Sequence, residues 1–550
     1  MNLSQSLLAA AVGLPLLMLL LCASANICRR LPSWFAIAPL PALAAAVGAG
    51  QSEMLMLGHS RFALRFAIDT PGALLLGTAA LLWLFAGIYA ARFIREREGE
   101  GEGVAGFVVC WFMAMTGSVG VFLAADLIGF YLMLAVLSVG ASGLVLQGEV
   151  PDARYAGGFY LGIALLAEAF VLAALVLLAQ ATPGGSLLIR DAAAALPGSP
   201  WRDATLLLLL VGLGMKAGLV PLHFWMPYAY RAAPVPAAAV MSGAVVKASV
   251  IALVRFLPFT LNDAWPHFGI PLAALGMFGA FYGVAIGITQ SQPKVVLAYS
   301  SVSQMGFLMA VIGMGLAAGD PATVVAAAYY AAHHLLVKGT LFLAVGVVAL
   351  TGAGSLRRVL APTAVIALGL GGLPLTGGAL AKYAAKDLLG GDLAGSLAVA
   401  SSVATTLLML HFVRCLGATA AADSRARAPA PLTVAWLAMV LASLIGPWVL
   451  YLHIPVGTLP EALAPAALWS ALWPVLAGAA LAMGWDRWRK KVPSVPVGDV
   501  GVILRELQRA AAAAGRFAQC TDAFVRGWSV SCLTLLLAAL LFGGLLAVAA

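Results

Sequence analysis

The stretch "GLGMKAGLVPLHFWMPYAYRAAPVPAAAVMSGAVVKASVIALVRF", residues 212–256, sets Lys216, His223, Arg231 and Lys247 among residues that otherwise dissolve in lipid. Cations in such surroundings are expensive and need a partner, a water-filled cavity or protein around them. What solvent the chain sees is answered by its composition. Of 550 residues 63% are hydrophobic and 10% charged, and the mean hydropathy is +1.00. These values fit a chain whose solvent is largely lipid, so an all-α polytopic membrane protein is expected. The net charge of +9 does not argue for nucleic acid as a partner, because Lys and Arg sit mainly in short loops between apolar runs. That is the pattern of topology signals and of contact with anionic lipid. The six cysteines lie apart with no C-x-x-C pair, so neither a metal nor a redox centre is expected.

About sixteen apolar runs approach the roughly 20 residues that a spanning helix needs. They lie near 6–25, 33–51, 70–91, 104–123, 125–146, 157–180, 203–222, 235–257, 268–289, 297–318, 322–350, 361–388, 393–416, 431–452, 463–484 and 529–548. The first has no charged leader and is read as a helix rather than a signal peptide. Basic residues recur on alternate loops, at Arg29 and Arg30, 91–97, 152–155, Arg231, Lys294, Arg357 and Arg358, Arg425 and Arg427, and 485–491. That side is expected to be cytoplasmic, which puts the N-terminus and the C-terminus in the periplasm of a bacterial inner membrane. The segment 497–528 has helical spacing, with Ile503, Leu504 and Leu507 on one flank and Arg505, Glu506 and Arg509 on another. It is expected to lie along the cytoplasmic interface, against lipid or a partner subunit, before a terminal span at 529–550.

Lys216 falls within the seventh run with Pro221 soon after it, and a proline frees a backbone carbonyl nearby. His223 follows, as either a relay group or a packing residue. Lys247 sits deep in the eighth run. In "YYAAHHLLVKGTLF", His334 and Lys338 share one helix face while His333 is displaced around the axis. In "GGLPLTGGALAKYAAKDLL", Pro374 and its flanking glycines should interrupt the helix just before Lys382, whereas Lys386 and Asp387 lie nearer the outer end. The order suggests N-terminal helices at 1–100, two five-helix units at 101–257 and 268–416 inverted relative to one another, and C-terminal core helices at 431–484. A row of protonatable groups without a substrate-sized polar cavity points to hydrogen ions crossing by relay.

The chain resembles the antiporter-like, proton-translocating membrane subunits shared by respiratory complex I, multisubunit Na+/H+ antiporters and membrane-bound hydrogenase complexes. The resemblance is carried by "KAGLVPLHFWMPYAYRAAPVPAAAVMSG" at 216–243, "KASVIALVRF" at 247–256, "KVVLAYSSVSQMGF" at 294–307, "HHLLVKGTLF" at 333–342 and "GLPLTGGALAKY" at 372–383. It implies fourteen core helices with two inverted five-helix repeats, which together with the count of apolar runs gives an expectation of about 14 to 16 transmembrane helices with helices 7 and 12 broken. It also implies other membrane subunits as partners, protons as the transported ion with Na+ as an alternative, and no cofactor or active site of its own. Lys216 would be the broken-helix lysine, Lys247 the bridging lysine, His334 and Lys338 the relay pair, and Lys382 the second-channel exit.

One position departs from the family pattern. The helix that begins at Asp126 usually carries a glutamate as partner of the broken-helix lysine, and here Ala135 stands in that slot. Glu168, in "LLAEAFVL" of the next run, is the candidate substitute; the alternatives are a first half-channel kept only for structure, or a shifted register. A freestanding solute transporter is the other competing function.

Overall fold

In lipid every backbone N–H and C=O must find its partner within the segment, so an apolar run free of helix breakers folds as one long helix. The computed structural model describes residues 2–48, 53–58, 63–95, 102–259, 264–455, 457–488, 493, 495–499 and 501–502. Among them, 13 helices are long and apolar enough to cross a membrane.

The chain opens with α1 (Leu3–Leu21), the short helices α2 (Ala25–Cys28) and α3 (Leu40–Gly48), and an antiparallel hairpin of β1 (Met54–Leu57) and β2 (Leu64–Ala67). Long helices α4 (Thr70–Arg95), α5 (Glu102–Leu123), α6 (Leu127–Leu146) and α7 (Ala153–Ala181) follow, then α8 (Ile189–Ala195), α9 (Arg202–Ala217), α10 (Trp225–Ala232), α11 (Val235–Val240) and α12 (Lys247–Phe256). The second half contains α13 (Pro266–Gly287), α14 (Pro293–Ala318), α15 (Ala322–Ala349), α16 (Ala353–Gly371), α17 (Gly377–Leu389) and α18 (Leu393–Gly417). It closes with α19 (Ala430–Tyr451), α20 (Leu459–Ala462) and α21 (Pro465–Trp488). All of these belong to a unit of Met1–Val497, apart from a second unit of Gly498–Ala550. The interfacial helix expected at 497–528 and the span expected at 529–550 lie outside the described residues except for 497–499, 501 and 502.

Three of the apolar runs are not single helices. The run at 33–51 is not one helix: Pro39 and Pro41 lack the N–H groups that would join the turns before them to α3, so α3 starts afresh at Leu40 with Pro41 in its first turn, where no N–H is needed. Residues 25–48 instead run back along α1 in pieces. Cys28 reaches the Ala105 carbonyl near the start of α5, Phe35 stacks on Trp111 at 5.1 Å, and Gln5 near the start of α1 donates to the Met54 carbonyl at 3.4 Å. The run at 203–222 is helical only through Ala217. Gly218, at φ 76°, ends α9 in the left-handed conformation that glycine adopts without strain, and the helix resumes at Trp225. The run at 361–388 is likewise divided, between Gly371 and Gly377.

One end of the bundle is knitted by loops. Asp126 caps α6 by accepting from Gly129 N at 2.8 Å and also accepts from Arg65 N of β2 at 2.6 Å. Beside it Arg255, in the last turn of α12, donates to both Asp69 oxygens at 2.7 and 2.9 Å and to the carbonyls of Val121, Phe122 and Ala124. These carbonyls close α5, where the last turn has no intrahelical donors and a cation is favoured. The hydrophobic lengths of α14 and of the α11–α12 segment are buried throughout, and α15 nearly so, which makes these the inner spans of the bundle.

The break between α16 and α17 depends on Gly378, where a Cβ would run into the Gly369 carbonyl oxygen and stand 3.1 Å from His333 Nε2. Gly378→Ala is expected to lower the thermal unfolding midpoint of the purified chain, at a cost of about 1–3 kcal/mol from overpacking. Gly391→Ala, where nothing lies within 4 Å, should leave it unchanged. Equal midpoints for the two variants would contradict this origin of the break.

Candidate functional site

Three clusters of buried polar groups hold the lysines singled out from the sequence. In the first, Lys216 occupies the last turn of α9, and its Nζ donates to Glu168 Oε1 of α7 at 2.8 Å and to Ser138 Oγ of α6 at 2.7 Å. Ser138 in turn donates to the same Glu168 oxygen. Both charged side chains are almost wholly enclosed, at 11% and 4% exposure. Ala135 lies one helical turn before Ser138, so the α6 position that meets the lysine carries a hydroxyl, and the carboxylate comes from α7 instead.

The second cluster begins at a π-helical turn, Met241–Val245, that joins α11 to α12. Such a turn widens the helix and interrupts the ordinary ladder, and π-turns are frequent at functional sites. Lys247 Nζ donates to the Ser242 carbonyl inside that turn at 2.8 Å and lies 2.8 Å from His334 Nδ1 of α15. Because Lys247 and His334 share one hydrogen, whichever side carries it, the other must offer a lone pair. One helical turn on, Lys338 donates to the Leu297 carbonyl of α14 at 2.9 Å. Ser242 Oγ meets Ser301 Oγ of α14 at 3.0 Å. From there the polar groups continue along α14 to Gln304, which accepts from Tyr330 Oη at 2.7 Å and donates to Thr405 Oγ1 of α18 at 3.1 Å.

The third cluster is reached one turn along α18. Lys382 of α17 donates to Ser402 Oγ at 2.7 Å and to the Gly371 carbonyl at 2.8 Å, the latter left over where α16 ends. Between the first and second clusters lies a small cavity of about 20 Å3, bordered by Lys216, Ser138 and Tyr160 on one side and by Val245, Val246 and Ala248 around Lys247 on the other. It has room for about one water.

Two residues singled out from the sequence sit apart from these contacts. His223 packs edge-on against Tyr282 at 5.2 Å, with Tyr299 at 6.3 Å. His333 turns away from Lys247 toward the start of α17, and neither ring nitrogen has a hydrogen-bond partner among the described residues. Ser138, Ser301, Gln304, Ser402 and Thr405 join these clusters by hydrogen bonds and are not singled out by the sequence reading. Their signal lies in "SSVSQ" of α14 and "SSVATT" of α18, where hydroxyls recur at helical spacing inside apolar helices. Among the described residues no group of three or more His, Cys, Asp or Glu comes together to hold a metal ion.

Residues 124–389, which contain these three clusters except for the α18 hydroxyls, match the family described as NADH:quinone oxidoreductase/Mrp antiporter, TM. The chain is 29% identical over 296 residues to hydrogenase-4 component B of Escherichia coli, covering 52% of this chain and 43% of that protein. It is 27% identical over 381 residues to a Na(+)/H(+) antiporter subunit of Bacillus subtilis, covering 66% of this chain and 74% of the other. Its fold is similar to a chain in the structure of the Mrp complex from Dietzia sp. DQ12-45-1b, with a TM-score of 0.77, 22% identity, and coverage of 100% of this chain and 63% of that one. The chain spans about half the length of several of the curated relatives it matches. On the strength of residues 124–389 and the fold built around them, the chain belongs to the superfamily of membrane subunits that includes the proton antiporters, complex I, Mrp and hydrogenase-4.

Proposed function

We propose that this chain moves protons through a relay of buried lysines and histidines near the membrane midplane. It would do so as one subunit of a multisubunit respiratory, hydrogenase or antiporter complex in a bacterial inner membrane. The observation that carries the reading is the Lys247–His334 contact: at 2.8 Å a proton can pass from one nitrogen to the other with no heavy-atom motion, exchanging donor and acceptor. Lys216 and Glu168 form a second such pair at 2.8 Å, in which passing the ammonium proton to the carboxylate leaves both groups neutral. A charge arriving at Lys247 repels the Lys216 ammonium and thereby couples the two pairs. Lys338, Gln304 and Ser402 extend the row toward Lys382.

The two helix interruptions support an inverted repeat. Each five-span unit is interrupted in its fourth span, at 218–224 in the first and 372–376 in the second, with Lys216 in the last turn before one break and Lys382 in the second turn after the other. Basic residues such as Arg92, Arg95, Arg154, Arg357 and Arg358 fall at helix ends on one side, and the opposite side holds the balanced pairs Arg190–Asp191, Arg202–Asp203 and Arg255–Asp69. This favours a cytoplasmic location for the first side and a periplasmic N-terminus. Partner subunits, and the choice between H+ alone and exchange with Na+, come with the family and are part of the proposal.

A second reading, a structural subunit without its own flux, is favoured by Ala135 alone.

Lys247→Ala is expected to cut proton flux in vesicles at least about tenfold at matched complex content, because a relay group is removed without adding a buried charge. Lys247→Arg should not rescue it, since a guanidinium stays protonated at any physiological pH. Parental acidification rates in K247A would count decisively against the bridge. Glu168→Gln should abolish coupled flux with assembly intact, and Ala135→Glu in that background should restore part of it by returning a carboxylate to α6. Normal flux in E168Q would favour the structural reading of the first half.

A further inference from the structure

A hollow of about 350 Å3 opens between α17, α18 and α21, and its chemistry does not suit a passage for protons alone. Its walls are mostly apolar, with Phe307, Leu380, Trp448 and Leu468 among them. At its inner end stands Lys382. Two of the three N–H bonds of that ammonium are accepted by Gly371 O and Ser402 Oγ, both neutral, and no Asp or Glu is among the lining residues. Lys386 lines the same cavity one helical turn toward the end of α17. An apolar hollow of this size with a few convergent polar groups is the usual form of a small-molecule site.

Leu375, in the break between α16 and α17, adds an independent observation. It is held at φ 60°, a conformation in which a bulky side chain is strained, and it is 63% exposed while lining the cavity. Strain of this kind persists where the surroundings over-determine it, and ligand clamps are among the places where it collects. Neither burial nor a hydrogen-bonding role explains an exposed leucine in that backbone state.

We propose that this cavity binds a single-chain amphiphile with a carboxylate head, such as a medium-chain fatty acid anion. The head would be received by Lys382 and the chain would lie against Leu375, Phe307 and Trp448. The lack of a lining carboxylate beside Lys382 selects an anionic head, and the apolar walls select a hydrocarbon tail over a hydrated ion. Binding depends on the cavity; only its consequence, that an occupant would withhold Lys382 from proton transfer, rests on the relay reading. Fatty acids also carry protons across bilayers unaided, so binding and not flux is the appropriate readout, and its failure would leave the relay untouched.

Trp448 supplies the probe. In the full chain reconstituted in lipid nanodiscs, ω-bromododecanoate should quench tryptophan fluorescence saturably, and Trp448→Phe should remove most of the saturable part. The uncharged ω-bromododecanol should give no saturable quenching, and Lys382→Met should weaken the acid's affinity at least about tenfold. Undiminished quenching in W448F would mean partition into the bilayer beside lipid-facing tryptophans such as Trp469, which is 61% exposed. That result, or equal affinity for alcohol and acid, would overturn the proposal, and the alcohol comparison holds even where K382M does not assemble.

Discussion

An ammonium group withdrawn from water must find its acceptors inside the protein, and the departures from regular helix in this fold are where many of them are found. The π-turn before Lys247 offers the Ser242 carbonyl. The end of α16 offers the Gly371 carbonyl to Lys382. At one end of the bundle, Arg255 takes three carbonyls from the close of α5. Lys294, at the start of α14, donates to the carbonyl of Ala233, in the two-residue link between α10 and α11. Lys338 instead uses the Leu297 carbonyl within the unbroken α14, through the second lone pair that a helical carbonyl keeps. Breaks therefore supply several of the acceptors that let these cations be buried without a carboxylate for each.

The same constraint explains why hydroxyls matter. Ser138, Ser301, Ser402 and Thr405 each present a donor and an acceptor on one atom, so they can join neighbours of either polarity without adding charge. Of the lysines in the three clusters, Lys216 is the one with a carboxylate within contact distance among the described residues, and that carboxylate comes from α7 where the family pattern takes it from the preceding helix. Serine at 138, one turn from Ala135, keeps the α6 face polar toward the lysine.

Much of this could be read from the sequence. Lysines deep in apolar runs stand out against lipid, and proline beside glycine marks an interruption, so the lysine row, the all-α membrane fold and Glu168 as the candidate partner of Lys216 were accessible without coordinates. Other features were not, for physical reasons. The run at 33–51 has the composition of a span, yet its prolines divide it, because hydropathy counts side chains and not backbone donors. Arg255 and Asp69 are separated by 186 residues, and no local pattern announces such a pair. The serines of α14 and α18 are neutral and small, so they barely alter hydropathy while supplying the connections between charged groups. His223 has the chemistry of a relay group, and its ring packs among tyrosines.

The central claim is that the Glu168–Lys216 pair exchanges a proton during turnover. Infrared difference spectroscopy of the assembled complex, at rest and while energised, tests it directly by reporting the carboxylic C=O stretch. Proton exchange within the pair predicts a protonated-carboxyl band that rises and decays with turnover and is absent when residue 168 is glutamine. A Glu168 that remains carboxylate throughout sustained proton pumping would contradict it.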